Sequence, residues 1–280
     1  MTAGAGCQHS EMFPLVSMDS ANPLRLFQIW LNLPKRSKFA PPGFKMHWDE
    51  NVVVLAGEDG KGATARLYTG RLGAADSGFE PPSDSWGAAA DNDLMVAVVK
   101  LPAATAAGVA TTFNLPPAAR GRAANRVAYV VECGASGVSV AGVAIPGPRA
   151  VTLDASAPAL LSNGDTAADA LVLVLQGVPI GESVAQHGPF VMNTDAEISA
   201  AFRDYERTSF GGWPWRDSAP VFERTRGRFA SYKQADGSVR TEEPPLRAAP
   251  LHAQTEGTEP SKAASGVGEV PAVASVAIEL

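Results

Sequence analysis

RVAYVVECGASGVSVAGVAI, residues 126–145, is the stretch whose reading decides the fold class. Valine-rich runs occupy 126–132 and 138–145, and GASG at 134–137 has the chemistry of a short hairpin turn between two strands. Working outward, NVVVLAGE (51–58), LMVAVVKL (94–101), AVTLDA (150–155) and ALVLVLQG (170–177) are strand-like segments of the same kind. Earlier still, Phe27, Ile29, Leu31 and Leu33 fall on one parity, with Gln28, Trp30 and Asn32 on the other. That alternation suits a strand stopped by Pro34 and followed by the charged turn KRSKFAPPGF. Short strands punctuated by Gly and Pro predict an all-β sandwich or barrel, not alternating β/α units. Residues 59–93 read as a loop-rich insertion.

One helix is expected. Thr194 and Glu197 make a T-x-x-E capping box, and Ile198, Ala201, Phe202 and Tyr205 follow at i, i+3, i+4 and i+7. Such a stripe needs an apolar surface, and a barrel wall is the expected one. Phe210, Trp213 and Trp215 in SFGGWPW form an aromatic hook stiffened by Gly and Pro. From Ala235 the chain turns to Glu, Pro, Ser, Ala and Gly without periodicity, which predicts a disordered tail over 235–280.

The 280 residues leave room for about two domains. Hydrophobic residues make up 45% and charged ones 19%, enough for a sizeable core. With 23 basic and 29 acidic residues the net charge is −6, which argues against direct nucleic-acid binding and leaves docking to a protein open. Two cysteines, Cys7 and Cys133, make no disulfide framework and no CxxC pair. No apolar run approaches the ~18 residues of a membrane helix. An intracellular protein, in cytoplasm or nucleus and without membrane contact, is the expectation.

His9 and Glu11, two apart after the glycine-rich MTAGAG, are the candidate chemistry. On one strand, residues i and i+2 share a face with Cα atoms about 7 Å apart. An imidazole nitrogen and a carboxylate oxygen can then converge on a divalent metal such as iron. Two donors are too few for a stable site, and the other reading is a solvent-facing polar pair. Cys7 shares their parity but is expected as a small buried apolar residue. His47 lies in a linker and His252 in the tail, while His187 in AQHGPFVMN is expected to bond backbone. The sequence has no H-x-H, HExxH, GxSxG or P-loop.

HSEMF, FQIWLNLP and AQHGPFVMNT followed by E-I-x-x-A-F-x-D-Y, together with GGWPW and GRFA, resemble the pirin family in order and spacing. The resemblance runs through residues 1–230 and is weakest in 59–125. It implies a bicupin: two jelly-roll barrels packed face to face, braced by the C-terminal helix. It also implies one non-haem Fe(II) in the first barrel, held by an H-x-H pair and by the His and Glu of H-S-E. The metal ligands carried over are His9 and Glu11. With no H-x-H, the expectation is a truncated first barrel over 1–50 whose Fe(II) is bound weakly or not at all. A complete, metal-free cupin barrel is expected over 51–185, and the helix with its aromatic extension over 186–234. Two functions follow from the resemblance. One is a regulatory protein that binds a transcription regulator or a metabolic enzyme; the other is a quercetin-type 2,3-dioxygenase acting on a flavonol.

Overall fold

Between Val53 and Gly177 the chain builds two antiparallel sheets in the computed structural model, which describes residues 1–13, 15, 17–234, 236–246 and 276–277. The six-stranded sheet runs in the order Arg149–Leu153, Asn125–Glu132, Ala170–Gly177, Met95–Leu101, Thr64–Thr69, Val53–Ala56. The four-stranded sheet runs Val143–Ile145, Val138–Val140, Ala159–Asn163, Thr111–Leu115. One hydrophobic cluster draws on both sheets, with Leu67, Val99, Val130 and Val172 from the first and Phe113, Leu115, Val140 and Leu161 from the second. This is the all-β, two-layer arrangement expected of a jelly roll.

The strands follow period-two burial. Arg126, Ala128 and Val130 are buried while Val127, Tyr129 and Val131 are only half-buried. Ala170–Gly177 sits inside its sheet, flanked by Asn125–Glu132 and Met95–Leu101, and its Leu173 and Leu175 are buried as well as Val172 and Val174. Burial on both faces explains why ALVLVL reads as a continuous apolar run rather than an alternating one.

GASG is not a hairpin turn. The strands on either side of it belong to different sheets, so residues 133–137 carry the chain from one layer to the other. The hairpin lies further on, because VSVAGVAI is two strands, not one. Val140 pairs with Val143 around Ala141 and Gly142, whose φ angles are +49° and +82°. Two positive φ values in a two-residue loop match the twist of the flanking strands.

Three strands of these two sheets escaped the sequence reading: Thr64–Thr69, within the supposed insertion, Thr111–Leu115, and Ala159–Asn163. The remainder of 70–93 holds a short ladder, Arg71–Leu72 with Ala75–Asp76, and two single 3₁₀ turns.

Polar side chains close both ends of the barrel. At one end Asn163 Nδ2 donates to the carbonyls of Leu101, Pro102 and Ala168, and Asp165 accepts from the backbone N–H groups of Ser136, Ala167 and Ala168. A Cβ on Gly134 would lie 2.2 Å from Asp165 Oδ2, so this glycine serves contact with a carboxylate. At the other end the fully buried Arg126 donates from Nε and Nη2 to Gln176 Oε1 and from Nη1 to the Pro116 carbonyl. Gln176 Nε2 in turn donates to the Asp93 carbonyl.

The helix spans Asp195–Thr208, with Thr194 Oγ1 accepting from Glu197 N and Glu197 Oε2 accepting from Asn193 N. Its apolar stripe lies on the hairpin of Ala185–His187 and Phe190–Met192 rather than on a barrel wall. Phe202 meets Phe190 edge-on at 4.7 Å.

The described residues divide into two compact units: 1–11 with 31–221, and 12–13, 15 and 17–30 with 222–234, 236–246 and 276–277. In the second unit the strand expected over 27–33 is reduced to Ile29–Trp30, paired in parallel with Val276–Ala277. Ala230–Lys233 pairs with Val239–Glu242, so the expected tail contains a strand; 235, 247–275 and 278–280, including His252, lie outside the described residues. Among the described residues no helix is long and apolar enough to cross a membrane.

Candidate functional site

The segment that carries His9 and Glu11 is pinned at its start. Thr2 and Gly43 exchange backbone hydrogen bonds of 2.7 and 2.9 Å, and Ala5 N donates to the Ala40 carbonyl. Gly4 (φ +53°) brings its Cα so close that a Cβ would sit 2.0 Å from that carbonyl oxygen. Gly6 (φ +109°) lies flat against the Phe210 ring. These two positions explain the glycines of MTAGAG, since side chains there would both clash and be strained.

The surface receiving the segment is itself tied to the helix. Lys38 is buried, and its Nζ donates to Asn32 Oδ1 and to the Val191 carbonyl at 2.8 and 3.1 Å. Burial pushes the ammonium pKa down, and the carboxylates of Glu182 and Glu197 oppose that shift. Lys35 N donates to Glu182 Oε2, and Lys35 Nζ lies 3.5 Å from Glu197 Oε1.

At Gln8 the chain meets the end of the helix, where Nε2 donates to the Ser209 carbonyl at 3.2 Å. Ser209, Phe210, Gly211 and Gly212 all have positive φ, a left-handed turn that ends the helix and holds Phe210 under Gly6. Neither Gln8 nor this turn stood out in the sequence; the positive φ at Ser209 and Phe210 is a tertiary outcome that residue type conceals.

His9 and Glu11 follow this anchor, and both are exposed. Residues 7–13 form no strand, so the shared-face geometry expected from i, i+2 spacing is not set by a ladder. Cys7 is half-buried, with Sγ 3.6 Å from Met1 Sδ, and burial pushes its thiol pKa up, which disfavours a thiolate ligand. His47 is used structurally, its Nδ1 2.9 Å from the Tyr68 carbonyl oxygen and its ring stacked on Phe79 at 4.5 Å. His187 sets its ring edge-on to Phe202. Among the described residues no group of three or more His, Cys, Asp or Glu converges. A separate polar cleft of about 290 Å³ lies between Arg36, Ser37, Ser83, Ser85 and Trp86, with the Arg36 guanidinium 5.6 Å from the Trp86 ring centre.

Comparison with known proteins places this geometry. A family model, the pirin C-terminal cupin domain, matches residues 107–211, from the Thr111–Leu115 strand to the left-handed turn. The crystal structure of quercetin 2,3-dioxygenase from Acinetobacter baumannii superposes with a TM-score of 0.50 at 26% identity, over 64% of this chain and 55% of that one. Two sheets closed around one aliphatic core, matched by these, define a cupin-type protein. A pirin-like protein of Caulobacter vibrioides is 35% identical over 215 residues, which is 75% of this chain and 66% of the relative. Pirin-1 of Arabidopsis thaliana is 29% identical over 213 residues, 75% of this chain and 64% of the relative. The chain belongs to the pirin family, and it spans just under two thirds of the length of these curated relatives.

Proposed function

We propose that the chain acts as a pirin-like regulatory protein that works by binding a protein partner, a transcription regulator or a metabolic enzyme, with His9 and Glu11 as its two donors to an incomplete iron site. The observation that supports this reading is the presentation of the pair: it is solvent-exposed, directly after a segment pinned at Thr2, Ala5 and Gln8. An imidazole and a carboxylate suit iron in donor type. They do not suit it in number, because a stable site takes three or four protein groups and the described residues offer no third converging donor. No reaction step is therefore derived through the metal. The test is equilibrium dialysis of the purified chain against Fe(II) under anaerobic conditions. Uptake that the His9→Ala, Glu11→Gln double variant loses supports the assignment; equal uptake by both proteins refutes it.

A second reading, a quercetin-type 2,3-dioxygenase taking a flavonol, is favoured by the likeness to the Acinetobacter baumannii enzyme. Loss of flavonol absorbance under O₂ measures it. Equal turnover by the wild-type chain and the double variant would show that these two side chains do not carry that chemistry.

A further inference from the structure

We infer that the cleft beside Trp86 is a binding site for a small zwitterion, a free α-amino acid whose carboxylate meets the Arg36 guanidinium and whose ammonium meets the Asp84 carboxylate. The cleft shares no residue with the His9 and Glu11 pair and needs no metal.

Two opposite charges line this cleft and neither is neutralised. Among the described residues, neither Arg36 nor Asp84 forms an ion pair, with the other or with any third group. The cations beside Arg36 are engaged: Lys35 Nζ lies 3.5 Å from Glu197 Oε1, and Lys38 Nζ donates to Asn32 Oδ1 and the Val191 carbonyl. Of the three, Arg36 is the one that lines the cleft, its guanidinium 5.6 Å from the Trp86 ring centre. Asp84 accepts from Ser83 Oγ at its Oδ2, 3.2 Å away, which leaves Oδ1 open to a ligand. Opposite charges in one small space attract, and these stay apart because separate, fixed segments carry them.

Both segments are fixed by the fold. Lys35 N donates to Glu182 Oε2, which anchors the single 3₁₀ turn that carries Arg36. In the other segment Trp86 Nε1 donates to the Val178 carbonyl at 2.8 Å, and Asn92 Nδ2 donates to the Trp86 carbonyl at 2.7 Å. Gly87 lies so tightly on Leu94 that a Cβ would sit 2.4 Å from its Cδ2. Ser85 N donates to the Pro82 carbonyl at 2.9 Å, closing the turn that presents Ser83 and Asp84. The backbone positions of the two charges are therefore set before a ligand arrives, which lowers the cost of binding.

Size and charge select the ligand. The cleft holds about 290 Å³, at the lower end of ligand pockets, which span about 300–1,000 Å³. That suits a single amino acid better than a peptide or a nucleotide. A lone anion would be attracted by Arg36 and repelled by Asp84, and a lone cation the reverse. A molecule bearing both charges satisfies both residues. The Trp86 ring and the methyl groups of Ala88 and Ala89 leave an apolar surface for a small side chain.

The experiment is isothermal titration calorimetry of the purified chain at neutral pH with L-alanine, propionate and ethylammonium. These share a skeleton and carry both charges, the anion alone and the cation alone. The expected result is one L-alanine per chain, with propionate and ethylammonium each about tenfold weaker or more, the effect of losing one charged hydrogen bond. Arg36→Gln and Asp84→Asn should each weaken L-alanine by a similar factor, and Asp84→Asn should not weaken propionate. Both residues are exposed, so far-UV circular dichroism should be unchanged. Propionate bound as tightly as L-alanine would overturn the zwitterion site in favour of a plain anion site. Absence of L-alanine binding, or equal binding by the wild type and both variants, would overturn the site altogether.

Discussion

Removing Gln176 should cost more than removing Gln176 and Arg126 together. Arg126 is 1% exposed, and burial pushes its guanidinium pKa down, with the charge of Asp93 opposing. Gln176→Leu strips the oxygen that accepts from Nε at 2.8 Å and from Nη2 at 2.5 Å, and it orphans the Asp93 carbonyl. A hydrogen bond to a charged group contributes about 1.5–3 kcal/mol, and an orphaned buried acceptor costs about 1–3 kcal/mol. The expected loss is about 3–5 kcal/mol, the range seen when one partner of a buried charge is deleted. In Arg126→Met with Gln176→Leu the charge is gone and the apolar stem is replaced. What remains is one orphaned buried acceptor, the Asp93 carbonyl, since the Pro116 carbonyl is only part-buried, a loss of about 1–3 kcal/mol. Urea unfolding followed by far-UV circular dichroism on the wild type, both single variants and the double variant gives the coupling directly. If the double variant loses the sum of the singles to within about 0.5 kcal/mol, the side chains are independent and the reasoning fails.

Leu161→Ala should destabilise the barrel by about 2–5 kcal/mol in the same assay, because Leu161 is fully buried and paired with both Phe113 and Val140. Gly4→Ala forces a side chain against the Ala40 carbonyl in a left-handed backbone costing about 1–2 kcal/mol. Hydrogen exchange at Thr2, Ala5 and Gly43 should then quicken while Val172 stays protected. Asp165 has its carboxyl pKa lowered by bonds from Ser136 N and Ala167 N. A lowered folded-state pKa gives stability that is present above the unfolded value and lost as pH falls through the folded one. The urea midpoint should therefore decline below about pH 4, and Asp165→Asn should flatten that decline.

How much of this was legible depends on what each strand buries. Met95–Leu101 and Ala170–Gly177 are apolar on both faces and declared themselves. Thr111–Leu115 buries Thr111 with Phe113 and Leu115, and Ala159–Asn163 buries Asn163 with Leu161, so polar residues sit on the inward parity and break the pattern. Thr64–Thr69 alternates correctly, yet its inward residues are only Ala65 and Leu67 between Thr and Arg. The turn at Ala141–Gly142 was hidden because alanine rarely takes a positive φ, while Gly134 suggested a hairpin it does not make. At the candidate site, residue types revealed His9 and Glu11. Their exposure, and the Gln8 contact that precedes them, depend on a left-handed turn some two hundred residues away in sequence, which no local pattern encodes.

The position of Ala170–Gly177 has a consequence for how the chain is made. It is the last of the ten sheet strands to leave the ribosome, and it is hydrogen-bonded on both sides in the six-stranded layer. Until it emerges, Met95–Leu101 and Asn125–Glu132 each lack a neighbour and present an open edge. The barrel therefore closes late in synthesis, around its final strand, and the nascent chain carries two apolar edges that a chaperone must shield or that another nascent copy can capture.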